Sequence, residues 1–347
     1  MKDEKITIKD VANYLNVSTS TVSRALTDHH SISKKTKLKV KKAAEKLNYT
    51  PNNIAASLRN GKLNSIGVIL PKINSTFMSN CIFGIEKITQ PAGYNLIICQ
   101  SNENYENEVR NIKSLLDSQV SGIMISLSNE TTNTDHLQTV IDKDIPLVLF
   151  DRTSDLLDVD SVVNDDYKST IAAISHLYSQ GYKKIAILSG PTHIYVYKNR
   201  MQGYLDALKL CKLKKNEDWI FDGVKNKLEA QAITQNIFNE SNTPDAIFCT
   251  GDNIALGVLQ TLNKMNIEVP KTVGVMGYSN DTFSEITQPT LSSVEQHPQD
   301  IGSNAASILL ESIENKKKAD KKLHKKIYVK PKLIIRESTT RTQTYLE

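Results

Sequence analysis

The sequence predicts an all-α headpiece of helix-turn-helix type at residues 1–50, followed by an α/β body of two doubly wound lobes at residues 63–347. Two short amphipathic segments flank a tight turn near the N-terminus, and basic charge is concentrated in the first 62 residues. Beyond residue 63, short apolar runs alternate with amphipathic segments, as in parallel sheets covered by helices. Residues 51–62 are predicted to form a hinge helix and linker.

The headpiece begins with two short helices whose apolar residues recur at helical spacing. These residues are Val11, Ala12 and Leu15, then Val22, Ala25 and Leu26. Between the helices, Asn16 tolerates the left-handed conformation that a tight corner needs, and Ser18 is a good N-cap. The outward face of the second helix offers hydrogen-bonding side chains and no acid, which suits a major groove. This face carries Thr19, Ser20, Thr21, Ser23 and Arg24.

A third amphipathic helix is predicted from about residue 34 to residue 47. Its inward residues are Leu38, Val40, Ala43, Ala44 and Leu47, and its outer face is rich in lysine, including Lys37. A lysine run alone is most often a solvated helix face. Beside a helix-turn-helix, it favours neutralisation of DNA phosphates.

The charge of the chain is unevenly distributed. Residues 1–62 contain 13 Lys and Arg against 5 Asp and Glu, a net charge of +8, whereas the remaining residues contain 30 against 33, a net charge of −3. This asymmetry predicts a polyanionic partner for the N-terminal segment. A membrane surface is the competing polyanion, but the basic segment has no large apolar face and no aromatic belt. We therefore expect duplex DNA as the partner, and no membrane.

The headpiece motifs are Asp10-Val11-Ala12, Val17-Ser18, Thr21-Val22-Ser23-Arg24-Ala25-Leu26 and Leu47-Asn48-Tyr49-Thr50-Pro51-Asn52. Through them, residues 6–61 resemble the DNA-binding headpiece of the lactose repressor family of bacterial transcription regulators. The resemblance implies that Thr19, Ser20 and Arg24 contact base edges. Phosphate contacts are expected from Thr7, Thr21, Ser23, Ser33, Thr36, Lys37, Tyr49 and Asn52.

The same resemblance implies that residues 52–60 form a hinge helix on the operator. Leu58 would wedge between central base steps in the minor groove, with Ala55 as a further base contact. Arg59 would add a cation beside the wedge, able to reach the narrowed groove or its phosphates. The alternative is that Leu58 is a core residue of an ordinary linker helix. A symmetric wedge needs two copies, so we expect a homodimer on a palindromic operator.

Apolar runs typical of buried parallel strands occupy residues 66–70, 96–99, 122–125, 147–150, 185–188, 246–249 and 273–276. Amphipathic segments lie near residues 79–92, 105–118, 134–143, 167–180, 198–211, 227–239 and 252–266. The pattern predicts one lobe at about residues 63–152 and 295–320, and another at about 160–290 and 325–340, joined by three crossings. Ligands are expected where the carboxyl ends of the strands face each other.

The body also carries weaker motifs of the same family, among them Gly93-Tyr94, Asp151-Arg152, Val269-Pro270 and Pro289-Thr290-Leu291. Through these, the body resembles the periplasmic-binding-protein-like regulatory domain of that family. The resemblance implies that a small effector binds between the lobes and changes the affinity for DNA.

Candidate effector contacts are Asn74, Phe77, Asp151, Arg152, Tyr197, Arg200, Asp252, Ser279 and Asn280. Arg200 is favoured because a guanidinium can hold vicinal hydroxyls or a carboxylate through two bonds, which fits a sugar, a sugar acid or a nucleobase. The structural alternatives are packing for Phe77, helix capping for Asp252, and an ion pair between lobes for Asp151-Arg152.

The resemblance departs from the family pattern at one of these positions. Many members carry an aspartate where this chain has Ser279, so Asn280 or Asp281 is the candidate substitute. Tyr197 is placed in a loop before Arg200, together with Tyr195.

Neither an enzyme nor a metal site is expected. The chain contains none of the common catalytic motifs, and its seven histidines and four cysteines do not fall at metal-ligand spacings. The adjacent carboxylates of Asp165-Asp166 are more typical of a helix cap than of a catalytic pair. No apolar secretion segment begins the chain, and no run reaches the length of a membrane span.

The resulting expectation is a cytoplasmic, homodimeric repressor that needs no cofactor and is controlled by a small sugar-like effector. The alternative is a global carbon regulator whose body docks a phosphorylated carrier protein. No leucine heptad follows the last predicted strand, so a tetramerising coiled coil is not expected.

Overall fold

The computed structural model describes residues 6–49, 64–316 and 324–341. The chain divides into two compact units, Met1–Leu63 and Asn64–Glu347, and each is described by itself. The first unit is the headpiece and the second is the body. The hinge-helix candidates Asn52, Ala55, Leu58 and Arg59 lie outside the described residues.

The headpiece contains helices α1 (Ile8–Leu15), α2 (Thr19–Leu26) and α3 (Lys34–Lys46). The corner between α1 and α2 is formed by Asn16, which has the left-handed dihedrals φ 54° and ψ 46°. Ser18 caps α2, because its Oγ accepts a hydrogen bond of 3.2 Å from the Thr21 N–H. Both features of the turn were predicted, and the structure confirms them.

The three helices enclose a small apolar core of Val11, Ala12, Val22, Ala25, Val40 and Ala43. Leu38 was predicted to join this core, and that prediction is wrong. Its side chain is 58 % exposed, because it lies on the outer side of α3 between the exposed Lys35 and Lys39. The inward stripe of α3 is therefore narrower than the sequence period suggested.

The strands of the body are β1 (Ser65–Leu70), β2 (Asn95–Gln100), β3 (Gly122–Ile125), β4 (Leu147–Phe150), β5 (Asp160–Asn164), β6 (Ile185–Leu188), β7 (Ile220–Phe221), β8 (Ala246–Cys249), β9 (Gly274–Met276), β10 (Ser293–Glu295), β11 (Lys326–Val329) and β12 (Lys332–Ile334). The helices are α4 (Thr76–Thr89), α5 (Tyr105–Asp117), α6 (Asp135–Asp142), α7 (Asp166–Ser179), α8 (Tyr195–Leu210), α9 (Lys227–Asn239), α10 (Asp252–Lys264) and α11 (Pro298–Lys316). Each strand and helix predicted in the body has a counterpart among them.

The first lobe is built on a parallel six-stranded sheet with the order β11-β5-β4-β3-β1-β2. Helices α4 and α11 pack on one face of the sheet, over a core that includes Val68 and Phe150. A Cβ atom on Gly84 of α4 would collide with the Gln299 carbonyl oxygen, so the absence of a side chain lets these two helices touch. Helices α5 and α6 cover the other face.

The second lobe is built on a parallel four-stranded sheet with the order β7-β6-β8-β9. Helices α9 and α10 lie on one face, and α7 and α8 on the other. Strands β10 and β12 form an antiparallel pair, and Ser292 and Glu295 bridge to Met276 and Ser279 beside β9.

The predicted lobe boundaries need a correction. Residues from 160 and from 325 were assigned to the second lobe, but β5 and β11 are parallel neighbours in the first sheet. The prediction failed because β5 is short and its sequence, Asp-Ser-Val-Val-Asn, lacks the long apolar run that marks the strands predicted in the body. The strand is nevertheless fully buried between β4 and β11. The first lobe therefore includes residues 64–164, 298–316 and 324–329.

The chain passes between the lobes after β5, between β10 and α11, and between β11 and β12, as three crossings were predicted to do. Asn164 joins these crossings: its Nδ2 donates to the Gln296 carbonyl at 2.9 Å and to the Val329 carbonyl at 3.3 Å. Gln296 Nε2 donates in return to Asn164 Oδ1 at 3.1 Å. Among the described residues, no helix is long and apolar enough to cross a bilayer.

Candidate functional site

The exposed face of α2 carries the side chains predicted to read bases. Thr19, Ser20 and Arg24 are exposed, while Thr21 and Ser23 are half-buried. Ser18 Oγ lies 2.8 Å from Ser20 Oγ and 2.9 Å from Thr21 Oγ1, which orients these hydroxyls at the start of the helix. The face therefore combines one cation with several hydroxyl groups.

The helix N-termini of the headpiece hold most of the remaining DNA candidates. Ser33 Oγ accepts from the Thr36 N–H at 3.2 Å and caps α3, whose first turn contains no acid. The positive end of this helix and the exposed Lys34 and Lys35 favour an anion. Thr7 differs, because its Oγ1 donates to the Asp10 carboxylate at 2.7 Å. Tyr49 is half-buried against the headpiece core.

Lys37 is engaged by the protein itself. Its Nζ lies 2.9 Å from Asp28 Oδ1 and donates to the Asp28 carbonyl at 2.8 Å, and only 16 % of its side chain is exposed. Asp28 follows α2 with a left-handed φ of 56°. The hydrogen bond and charge of Lys37 lower the pKa of Asp28. Lys37 thus ties the end of α2 to α3. This engagement of its ammonium group does not favour the phosphate contact predicted for Lys37.

In the body, the predicted effector residues lie where strands of the two sheets end. Asp151 follows β4, Arg200 lies in the second turn of α8, and Ser279 and Asn280 follow β9. Asp151, Ser279 and Asn280 have φ values of 57°, 125° and 52°, which are uncommon for residues with a side chain. Strained backbone of this kind concentrates at ligand-binding sites.

Arg200 is buried in a network within the second lobe. Its Nε donates to Asp166 Oδ1 at 2.8 Å, and its Nη1 donates to the Thr250 carbonyl at 2.9 Å. The guanidinium carbon lies 3.7 Å from the centroid of the Tyr278 ring, whose hydroxyl donates to Asp166 Oδ1 at 2.7 Å. Burial is the largest single influence and lowers the pKa of Arg200, but the charges of Asp166, Tyr278 and Tyr197 and the hydrogen bond to Asp166 together outweigh it, so the pKa is raised.

Asp151 faces this network from the first lobe. Its side chain is buried, and Ser126 Oγ donates to Asp151 Oδ2 at a long 3.4 Å. Burial raises the pKa of Asp151 to about 6, in opposition to the positive charges of Arg152 and Arg200. This carboxyl group is therefore poorly compensated in the ligand-free protein.

Arg152 does not form the ion pair between lobes that was considered for it. Its Nη1 lies 2.7 Å from Glu103 Oε2 and donates to Asn129 Oδ1 at 3.0 Å, both within the first lobe. Tyr197 was placed in a loop, and this is wrong, because it lies in the first turn of α8 with its ring against Gly190. Tyr195 is in the same turn, with its ring 4.2 Å from Lys326 Nζ of the first lobe.

Asp252 accepts hydrogen bonds from three protein groups. Its Oδ1 accepts from Ser293 Oγ at 2.7 Å, and its Oδ2 accepts from the Asp281 N–H at 2.7 Å and from Ser284 Oγ at 2.9 Å. The helix-cap alternative is wrong, since Gly251 is the N-cap of α10. The neighbouring carboxylates of Asp165 and Asp166 have different partners. Asp165 caps α7 by accepting from the Lys168 N–H, while Asp166 forms an ion pair with Arg200.

A pocket of about 330 Å³ lies on the hinge side of the cleft. Three of the residues predicted to contact the effector, Phe77, Ser279 and Asn280, line it, whereas Asn74 is exposed and does not. The amide of Asn280 is occupied, because its Nδ2 donates to Glu295 Oε2 at 2.8 Å and its Oδ1 accepts from Arg336 Nη1 at 2.9 Å. Asp281 also lines the pocket, and burial raises its pKa.

Sequence reasoning missed Asp166, Thr250 and Tyr278 as parts of this site. The hydroxyl contact of Tyr278 with Asp166 spans 112 residues. No local pattern indicates such a contact. Among the described residues, no group of three or more His, Cys, Asp or Glu side chains is placed to hold a metal ion.

Comparisons with known proteins agree on one family. Residues 7–52 match the model described as bacterial regulatory proteins, lacI family. Residues 63–334 match the model described as periplasmic binding proteins and sugar binding domain of LacI family.

Curated relatives cover nearly the whole chain. The HTH-type transcriptional repressor PurR of Vibrio vulnificus (strain CMCP6) is 32 % identical over 335 residues, which are 96 % of this chain and 98 % of the relative. PurR of Vibrio cholerae serotype O1 (strain M66-2) is 34 % identical over 312 residues, covering 89 % and 92 %.

A solved structure shares the fold. The lac repressor dimer bound to operator and the anti-inducer ONPF has a TM-score of 0.86 at 23 % identity, over 97 % of this chain and all of that one. Since a family model covers most of the body, a second covers the headpiece, and full-length relatives are repressors, the chain belongs to the LacI family and is a DNA-binding transcriptional repressor.

Proposed function

We propose that this repressor binds a palindromic operator as a cytoplasmic homodimer and that a small polar effector, held between the two lobes, controls its affinity for DNA. The observation that carries the proposal is the position of Asp151 and Ser279 after strands of the two sheets and of Arg200 in the second turn of α8, around a hinge of three crossings. Ligands of doubly wound sheets bind outside the carboxyl ends of the strands. A sugar or sugar derivative fits a cleft rich in hydrogen-bonding groups.

The exposed edge of the first sheet supports the homodimer. Strand β2 is the last strand of this sheet, and it is only partly buried. Nearby, Ile73, Phe83 and Ile98 are between 40 % and 55 % exposed. Apolar side chains beside an unpaired strand edge are typical of a surface that another chain covers. A second copy would also supply the second headpiece that a palindrome needs.

The effector would act through a differential affinity for two arrangements of the lobes. Contacts between the lobes, such as His193 Nε2 to the Asn129 carbonyl at 2.6 Å, exist in one arrangement and would break in another. A coupling of about 1–3 kcal/mol between effector and operator is the usual size of such effects. A ligand that bound both arrangements equally would change nothing.

The DNA-binding part is tested by footprinting the full chain on its own upstream region, followed by fluorescence anisotropy on the protected duplex. Arg24→Ala should weaken binding to this duplex far more than binding to scrambled DNA, since a base contact carries specificity. Lys35→Ala, on the exposed face of α3, should weaken both equally. Equal losses for the two variants on both duplexes would contradict the assignment of α2 as the base reader.

The effector part is tested by adding sugars, sugar acids and nucleobases to the preformed complex and recording its dissociation constant. A change in operator affinity by one of these compounds, together with its loss in Ser279→Trp, is the expected result. The bulky side chain would fill the pocket, whose lining residues all belong to the body. A response that survives in Ser279→Trp would place the effector elsewhere. Binding of a phosphorylated carrier protein, with no response to small ligands, would favour the alternative regulator.

A further inference from the structure

Resting on the proposed effector site, we infer that this cleft selects a ligand that donates hydrogen bonds and carries no negative charge. An uncharged polyol or an amine-bearing sugar meets this description. A carboxylate or phosphate ligand does not. The inference narrows the ligand classes that the sequence left open, and it follows from how the charges of the cleft are already paired.

The two arginines predicted to contact the effector are both occupied by the protein. Arg200 pairs with Asp166 at 2.8 Å, donates to the Thr250 carbonyl and stacks on Tyr278. Arg152 pairs with Glu103 at 2.7 Å. An anionic ligand would have to compete with a buried carboxylate for either guanidinium, and separating a buried ion pair is costly.

Two carboxylates, in contrast, are incompletely hydrogen-bonded. Asp166 Oδ2 is completely buried and has no hydrogen-bond partner. Asp151 is buried as well, and its contact with Ser126 Oγ is long at 3.4 Å. The two groups lie close enough for the charge of Asp166 to raise the pKa of Asp151. Buried acceptors without donors are rare in proteins. Since Asp166 Oδ2 is itself fully enclosed by protein, a ligand hydroxyl or ammonium group would complete the hydrogen bonding of Asp151.

The pocket on the hinge side of the cleft also favours hydrogen-bond donors over anions. Asp281, Glu295 and Asp300 line it, and no Lys or Arg is found among its lining residues in the described chain. A lining with three carboxylates and no Lys or Arg among its described residues makes the pocket unfavourable for anions. Phe77 adds an aromatic surface on which the apolar face of a sugar, or an ammonium group, can lie.

Asp252 shows that burial of a carboxylate does not by itself indicate a ligand contact. It is as buried as Asp166, and burial raises its pKa to about 6, as it does for Asp151. Asp252, however, receives three hydrogen bonds from Ser293, Ser284 and the Asp281 N–H. The hydrogen bonding of this carboxylate is complete without a ligand, so Asp252 is the matched control for Asp151.

The first experiment needs no ligand. Thermal unfolding of the full-length protein is compared with that of Asp151→Asn and Asp252→Asn at pH 7.5. Asp151→Asn removes an uncompensated charge and should raise the melting temperature by roughly 3 °C. Asp252→Asn places an amide donor among groups that already donate, and should lower the melting temperature. A fall for Asp151→Asn as large as that for Asp252→Asn would overturn the inference.

The second experiment uses sets of ligands that differ in charge on one skeleton. Glucose, glucosamine and glucuronate form one set, and galactose, galactosamine and galacturonate form another, each at equal concentration with the wild-type chain. A larger thermal shift with the neutral or amino sugar than with the uronate supports the inference. A uronate that shifts the melting temperature further than its neutral parent overturns it. The Asp151 and Asp252 comparison decides the inference even if none of these compounds is the natural effector.

Failure of the inference is distinguishable from failure of the proposed function. Anisotropy with operator DNA is recorded for the same wild-type preparation. Loss of sequence-specific DNA binding contradicts the proposed function, whereas intact DNA binding with a preference for anionic ligands contradicts the inference alone.

Discussion

Asn164 and Gln296 exchange a reciprocal pair of hydrogen bonds between two of the chain crossings that join the lobes. Asn164 also donates to the Val329 carbonyl on the third crossing. A single buried side chain thus fixes the relative positions of the crossings at the hinge. Hinge residues absorb the backbone changes of domain closure, so this contact sits where effector binding would act.

Replacement of Asn164 should loosen the hinge. In Asn164→Ala, we expect faster amide hydrogen exchange at residues 295–297 and 329–331, because a buried carbonyl loses its donor on each crossing. The control is Asn111→Ala, which removes a hydrogen bond to the Gln100 carbonyl far along the chain from the hinge. Equal exchange rates at the crossings in both variants would show that Asn164 does not restrain them.

The role of Lys37 can be decided by the salt dependence of DNA binding. Since its ammonium group is held by Asp28, Lys37→Met should reduce the stability of the headpiece but leave the slope of log affinity against log salt unchanged. Lys35→Met, at an exposed position, should reduce the slope by about one phosphate contact. A slope that falls as much for Lys37 as for Lys35 would restore the phosphate contact that the sequence predicted.

The pH dependence of stability should report on Asp151. Its pKa in the folded protein is raised from 3.8 to about 6, so the stability that its protonated form contributes is present below pH 4 and is lost as the pH rises through 6. The difference in unfolding free energy between Asp151→Asn and wild type should grow by about 2–3 kcal/mol between pH 4.5 and pH 7.5. Urea denaturation at several pH values measures this difference, and a constant difference would exclude the shifted pKa.

The backbone at Ser279 should be strained. Its φ of 125° belongs to a region that glycine occupies readily and other residues avoid. Ser279→Gly should therefore stabilise the body by about 1 kcal/mol in urea denaturation. Ser279→Ala is the control, because it removes the hydroxyl but keeps the strain, and it should give no gain. Equal stabilities of the Gly and Ala variants would show that position 279 is relaxed.

The turn of the headpiece was predictable because adjacent residues determine it. Asn16 adopts the left-handed corner, and Ser18 accepts the Thr21 N–H, through contacts that span at most three residues. The burial of Leu38 was predicted wrongly, because a helical period shows which residues lie on one side of a helix but not how much of that side the partner helices cover. Contacts between adjacent residues determine the conformations of Asn16 and Ser18, whereas the burial of Leu38 depends on how the helices pack.

The effector cleft was predictable only in outline. Residues that follow strands, such as Asp151 and Ser279, could be placed at the strand ends because the sheets are parallel. The pairing of Arg200 with Asp166 could not be predicted, since the two are 34 residues apart and Asp165 offered an equally plausible acid. For the same reason Asp252 was assigned to a ligand, because its three donors come from segments some 30 to 40 residues further along the chain.

The placement of β11 and β12 has a consequence for the order in which the protein becomes structured during synthesis. The first sheet lacks an edge strand until residues 326–329 exist, and β10 lacks its partner until residues 332–334 exist. Neither lobe can be completed while the ribosome still holds the last 20 or so residues, but the three helices described in the headpiece end at residue 46. A nascent chain would therefore contain the folded helix-turn-helix well before it possesses a body able to regulate it.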